Sequence, residues 1–358
     1  MHKKTLQSLL LSLIFIGVFT FNLSASNTEH GEAENADVKT EIKEDIKHHL
    51  QDGYDFHLFT DKETNTHYGF PLPVILIDNG LKVFLSSKFH HGEEIAEVDG
   101  NFYMLSHGHI YKTDAEGAVN YDEEGHITNE KPLDFSITKN VFSALFVAIL
   151  MFFLFSSMAK SYKTNAIPKG FGRFVEPLVV FVRDEIAIPN IGEKHYRKYM
   201  GFLLTIFFFI WIVNLVGLTP LGINVTGNIA VTFALALMTF LITQVTANSN
   251  YWKHIFWMPG VPVPMKIILA PIELLGVFIK PFALMIRLYA NISAGHIVLM
   301  SLIGLLFVFH NWFARGAFLG LTLFLSVIEL LVAFLQAYIF TMLSALYFGF
   351  AVEEHEHH

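Results

Sequence analysis

Two uninterrupted apolar segments near the C-terminus, 267–309 and 316–350, constrain this chain more than any other feature. As continuous helices they would measure roughly 60 and 50 Å. The hydrocarbon core of a bilayer is only about 30 Å thick. Either each segment breaks into two spans, or each is one helix lying strongly tilted. Only the short "HNWFARG" joins them, and neither contains a Gly/Pro/Asn cluster that reads as a loop. Pro271 and Pro281 can kink the first segment, but a kink is not a hairpin. The expectation is a long, strongly tilted C-terminal helical hairpin.

The remaining chain agrees with an all-α polytopic membrane protein. Hydrophobic residues make up 53% and charged residues 16%, where soluble domains carry about 25% charged residues. Spans are predicted at 141–159, 201–218 and 229–247, which with the hairpin makes five crossings. The loop after the first span carries Lys160, Lys163, Lys169, Arg173, Arg183, Lys194, Arg197 and Lys198. By the positive-inside rule it is cytoplasmic. Within it, "FGRFVEPLVVFVRDEIAIPNIG" is too short and too charged to span, and suits an interfacial helix. The membrane part is expected over 138–352, with an acidic and histidine-bearing cytoplasmic tail at 353–358.

The N-terminal third differs. Residues 1–26 read as a secretory signal peptide: Lys3 and Lys4, an apolar run, then small residues near Ala25 and Ser26. An uncleaved anchor helix is the alternative. Either places residues 27–137, an acidic, histidine-containing domain, outside the cytoplasm. Residues 27–65 suit a short helix or a disordered linker. From about Tyr68 to 135, short alternating pieces separated by Asn-Gly, Asp-Gly and Glu-Gly turns predict a small, mostly β extracytoplasmic domain.

The acidic balance argues against nucleic-acid binding. The chain has no cysteine, which excludes disulfides, thiolate metal sites and a cysteine nucleophile. His48, His49, His90, His91, His107 and His109 offer a metal-binding alternative for this domain. Solvated polar surface is the simpler reading, with "SHGHIYK" a strand carrying both histidines on one face. No metal or cofactor is expected. There is no phosphate-binding glycine loop, G-x-S-x-G elbow or H-E-x-x-H, so the chain is not expected to be an enzyme on its own.

Inside the apolar hairpin lies a polar constellation. Arg287 and Asn291 share a helix face. Lys280 is seven residues before Arg287, and Glu273 seven before that. His296, nine residues beyond Arg287, falls on the opposite face about 13 Å further along. On the second segment Glu329 and Gln336 share a face. An antiparallel hairpin brings Gln336 near Arg287 and Glu329 near His296. An arginine at mid-bilayer depth costs roughly 2.5–3.5 kcal/mol on insertion scales. Each residue alone could be interhelical glue. Strung together along one membrane helix, such groups mark an ion path. A secondary transporter using Arg287 for an anionic substrate is the alternative, although no internal repeat is visible.

"KPFALMIRLYANISAGHIV" followed by "ELLVAFLQAYIFTMLSALYFGFA" resembles subunit a of the F-type ATP synthase, as do "NLVGLTPLG" and the interfacial helix. The resemblance covers about 138–352. It implies a static proton-translocating subunit beside a rotating c-ring and peripheral-stalk b subunits, in a bacterial inner membrane. It implies that Arg287 faces the c-ring carboxylate and separates two half-channels, with Asn291 and Gln336 beside it. His296 and Glu329 match an interacting pair of the non-cytoplasmic half-channel. Glu273 matches an acid of the cytoplasmic one, and Lys280 has a counterpart without a sharp role. The acidic domain is longer than the N-terminal tail typical of the family.

Overall fold

The computed structural model describes residues 52–61, 66–92, 94–164, 172–219, 223–258, 261–309 and 311–353. The expected signal peptide, His48, His49 and most of the C-terminal tail lie outside these residues.

The N-terminal part is a β domain of three small antiparallel sheets. Strands β1 (Asp55–Asp61) and β2 (Thr66–Pro71) form a two-stranded sheet. A second sheet has the order β4 (Leu81–Leu85), β3 (Pro73–Ile77), β8 (Leu133–Asp134). A third orders β5 (Ala96–Val98), β6 (Asn101–Ser106), β7 (His109–Thr113). Asp99 and Gly100 turn β5 into β6 with φ of 49° and 79°, the left-handed pair that a two-residue hairpin requires.

Three expectations are corrected here. The domain starts at β1 rather than near Tyr68, in a stretch read as linker. Its apolar content is modest, and what orders it is tertiary: Phe56 stacks on Phe70 at 4.9 Å. His107 and His109 do not share a strand face, because His107 occupies the β6–β7 turn at φ 49°. The stretch "AVNYDEEGHITN" forms one isolated bridge, Tyr121 to Ile127, instead of strands. There the Asp122 side chain accepts from the backbone N–H groups of Glu124 and His126 at 3.0 and 2.7 Å, and such local bonds compete with a ladder. No group of three metal-ligating side chains is found among the described residues.

Asp78 ties the sheets together. Its Oδ2 accepts from the Tyr103 hydroxyl at 2.9 Å and lies 2.8 Å from Lys112 Nζ. Lys112 holds this carboxyl below the usual carboxylate range; burial opposes the shift and Tyr103 reinforces it. A depressed folded pKa stabilises the domain fully above the ordinary aspartate pKa of about 3.9, and that stabilisation is lost as pH falls through the lower, folded value. Amide exchange of β3, β6 and β7 is expected to rise in that acid window beyond the intrinsic chemistry. Asp78→Asn should remove this pH dependence. An unchanged acid profile in the variant would show that the ion pair does not stabilise the domain.

Asp52 fastens the domain to the helical part. Its carboxylate accepts from the Asn140 backbone N–H at 3.0 Å and the Thr138 hydroxyl at 2.8 Å, so it caps α1 (Lys139–Thr164). Asn228, the N-cap of a later helix, reaches the same carboxylate at 3.4 Å. Phe56 and Phe70 pack edge-on against Phe142 of α1.

After α1 come α2 (Gly172–Phe181), a π-helical turn (Val182–Ala187) and α3 (Ile188–Ile191). Then follow α4 (Tyr196–Gly217), α5 (Ile229–Thr246), α6 (Ser249–Phe256), α7 (Val263–Val308) and α8 (Trp312–Val352). Five of these, α1, α4, α5, α7 and α8, are long and apolar enough to cross a membrane. The alternative of four short spans in the C-terminal segments is excluded. α7 runs 46 residues through Pro271 and Pro281 without interruption, and α8 runs 41. Their lengths, about 69 and 62 Å, are twice the hydrocarbon thickness.

The helical core is aromatic. Tyr199 of α4 stacks on Phe348 of α8 at 4.6 Å, and Phe207 is fully buried. Gly349 lets α8 approach α3 closely: a Cβ there would lie 1.9 Å from the Asn190 carbonyl oxygen. Helix α6, which sequence reading missed, is anchored by Asn248. Asn248 donates from its backbone N–H to Ala351 O at 2.7 Å and from Nδ2 to Val352 O at 3.0 Å, satisfying orphan carbonyls at the end of α8.

Candidate polar pathway along the α7–α8 hairpin

The hairpin turns at Asn311, whose side chain caps α8 by accepting from Phe313 N–H at 3.0 Å. Arg315 Nε donates to Phe309 O at 2.7 Å. From this turn the helices run antiparallel, and one contact sets their register. The Glu329 carboxylate fills the space a side chain would take at Gly295, so closely that a Cβ there would fall 1.5 Å from Oε1. Seven residues along each helix, Gln336 comes level with Leu288, next to Arg287. Both Gln336 and Leu288 are buried.

Arg287 is not buried with them. It is exposed, as is Asn291, and makes no hydrogen bond or ion pair with any described residue. Exposed Ala283, Ala290, Asn291, Ala294 and Val298 share its side of α7, with exposed Phe282, Ile286 and Ile297 along one edge. Small side chains leave room for another helix to approach the guanidinium. The expected approach of Gln336 to Arg287 is met in level, not in a bond.

Towards the hairpin turn, Glu329 opens on a cleft of about 220 Å³ lined by Ala294, Gly295, Val298, Leu299, Leu325 and Ile328. This cleft adjoins the Arg287 stripe through Ala294 and Val298. His296 lies on the far side of α7. It is buried, and its ring packs on Gly217 of α4, where a Cβ would stand 3.4 Å from Nε2. The expected His296–Glu329 pair is therefore not closed by a hydrogen bond or ion pair. The two are neighbours in level but meet adjacent faces of α7, about 100° apart, because Glu329 sits at Gly295 and His296 is the next residue.

Behind His296 lies polarity that sequence reading missed. Thr226 donates to Asn214 Oδ1 at 2.6 Å in the core. Asn214 Nδ2 and the buried Asn224 Oδ1 have no hydrogen-bond partner among the described residues. Buried polar atoms are normally satisfied, so these side chains make the lobe beside His296 polar within an otherwise apolar core. The signal was available in "NLVGLTPLGINVTGN", where Asn214 near the end of a predicted span is followed by a loop carrying Asn224 and Thr226.

The other end of the hairpin carries a second cavity, about 390 Å³, lined by Tyr251, His254, Glu273, Val277, Lys280 and Glu353, among others. Lys280 Nζ sits 5.6 Å from the Tyr347 ring centroid and 5.7 Å from that of Phe350, a cation–π arrangement. Glu273 and Lys280 line the same space without an ion pair. Burial pushes the Tyr251 phenol up. Sequence reading found Glu273 and Lys280 but not Tyr251, His254 or Tyr347. The cue was the amphipathic run "NYWKHIF". Arg287 stands between the two spaces, about 10 Å beyond Lys280 and about 12 Å before Gly295 along the helix axis.

Residues 141–349 match the family described as ATP synthase A chain. Residues 45–135 match a family described only as a domain of unknown function. The chain is 44% identical over 232 residues to ATP synthase subunit a of Chloroherpeton thalassium, covering 63% of this chain and 69% of that protein. It is 44% identical over 232 residues to ATP synthase subunit a of Myxococcus xanthus, covering 63% and 76%. Against ATP synthase subunit a of Pelodictyon phaeoclathratiforme it is 41% identical over 282 residues, covering 75% and 80%. That last match extends upstream of the helical part, into the β domain.

Proposed function

As a member of the ATP synthase A chain family, this multi-pass membrane chain is a proton-translocating subunit of an F-type ATP synthase, and we propose that its α7–α8 hairpin supplies two separate aqueous half-channels to the carboxylates of a c-ring. The observation that carries this reading is the position of Arg287: exposed, and between the cleft that holds Glu329 and the polar cavity that holds Glu273 and Lys280 along one helix. The secondary-transporter alternative has no support from the family match.

The basic loop after α1 and Lys253 of α6 set the orientation by the positive-inside rule. The Glu273–Lys280 cavity then opens to the cytoplasm of a bacterial inner membrane, and the Glu329 cleft opens to the other side, where the β domain stands. Helices of 46 and 41 residues lie strongly tilted and follow the curved ring surface. Peripheral-stalk b subunits are further partners.

A proton enters past the Asn214–Thr226 lobe and His296, reaches Glu329, and neutralises a ring carboxylate. The neutral site faces lipid, where a charged one would be costly. After rotation it meets the Glu273–Lys280 cavity and loses its proton. Arg287 favours the ionised carboxylate between the two openings and repels a proton passing directly. Each charge crossing yields about 2.3 kcal/mol per 100 mV.

Because the chain has no cysteine, single-cysteine variants test this directly. Ala294→Cys should react with a membrane-impermeant thiol reagent only from the β-domain side, and Val277→Cys only from the cytoplasmic side. If reagent from one side reaches both positions, the two spaces form one pore and the half-channel reading fails.

A further inference from the structure

An antiparallel sheet in water normally buries one face and solvates the other. The β4–β3–β8 sheet does not. Val74, Leu76 and Phe84 on its inner face are buried. On its outer face stand Ile77, Leu81, Val83, Leu85, Leu133 and Phe135, each between 44% and 67% exposed. Register makes them one patch: Ile77 pairs with both Leu81 and Leu133, and Phe135 N–H donates to Ile75 O at 2.9 Å. No charged or hydrogen-bonding side chain interrupts it. Asp134 lies on the opposite face, where it accepts from the Tyr54 hydroxyl, and Lys82 reaches away to Asp99 at 2.8 Å. Contiguous apolar patches larger than a few hundred Å² mark interaction or membrane surfaces.

The chain itself indicates what covers this one. The β8 edge continues through Ile137, whose N–H donates to Pro73 O at 3.0 Å, and α1 begins at Lys139. The first turns of α1 expose Val141, Leu145 and Phe146. The apolar face thus ends within about 13 Å of chain from the apolar face of a membrane span. Most acids of the domain stand elsewhere, in exposed turns around Asp99 and 122–124; exposed Glu130, Lys131 and Asp134 border the patch, and Lys131 suits lipid phosphates.

We infer that the outer face of the β4–β3–β8 sheet is a lipid-docking surface, laid on the leaflet next to the start of α1 and inserting its aliphatic and aromatic side chains at the acyl boundary. It holds the β domain in a fixed pose beside the helices.

The test uses the full chain in vesicles of phosphatidylethanolamine and phosphatidylglycerol. Cysteines replace Leu81, Val83 or Leu133, with Asp99→Cys and Glu124→Cys as references, and each carries an environment-sensitive fluorophore. The expected result is blue-shifted emission at the three patch positions and its loss with lipids spin-labelled at shallow acyl depth, with neither effect at the references. Water-like emission at the patch would overturn the inference. So would dry emission that lipid spin labels leave unquenched, because a protein surface would then be the cover.

Discussion

Arg287→Ala is expected to abolish ATP-driven acidification and proton-driven ATP synthesis in vesicles containing the assembled complex, each by at least about 10²-fold, the scale of removing one preorganised electrostatic contact. The chain should still assemble, because Arg287 is exposed and bonds to no described neighbour, so its loss opens no cavity. Passive proton leak through membranes stripped of the catalytic headpiece should rise, since on the proposed half-channel reading Arg287 is the charge that keeps the two cavities apart. Arg287→Lys keeps a charge but replaces a planar fork with a compact, strongly hydrated ammonium, and is expected to restore the block on leak better than coupled turnover. Pumping by Arg287→Ala near the wild-type rate would make the arginine interhelical glue.

Gly295→Ala is the second large effect. The added Cβ would fall 1.5 Å from Glu329 Oε1, so the carboxylate must leave its seat between the helices. Coupled proton transport is expected to fall about 10²-fold, the low end of what a positioned acid–base group contributes. Glu329→Gln should do the same by chemistry instead of by position. The double variant should be no worse than the worse single one, since both remove one group and groups acting as a unit are not additive. A Gly295→Ala chain with normal transport would show that the position of Glu329 does not matter. A double variant with multiplied losses would separate the glycine from the carboxylate.

Much of this was legible in the order of residues. Apolar run length and flanking charge are local properties, and they located the five crossings within a few residues. They also favoured unbroken hairpin helices over four short spans. The polar residues of the hairpin were legible for the same reason: an arginine or a glutamate inside hydrocarbon costs enough to stand out on its own. The β hairpins at Asn79–Gly80 and Asp99–Gly100 were marked by residues that tolerate positive φ. Strand β1 was not legible, because its order comes from pairing with β2 and from Phe70 and Phe142, which lie distant in the sequence. Helix α6 was hidden likewise: it is short, and its anchor is the end of α8.

The sequence alone therefore determined which groups enter the membrane and how long each helix is, because burial cost and helix rise depend on the residues themselves. Only the tertiary structure decided which groups meet. Helical periodicity put His296 opposite Arg287, but the close approach of Glu329 to Gly295, and of His296 to Gly217, depends on how three helices pack. That packing turned an expected pair into two groups on different faces of α7. It also set Arg287 between two cavities, each walled by residues from different helices, which no single stretch of sequence contains.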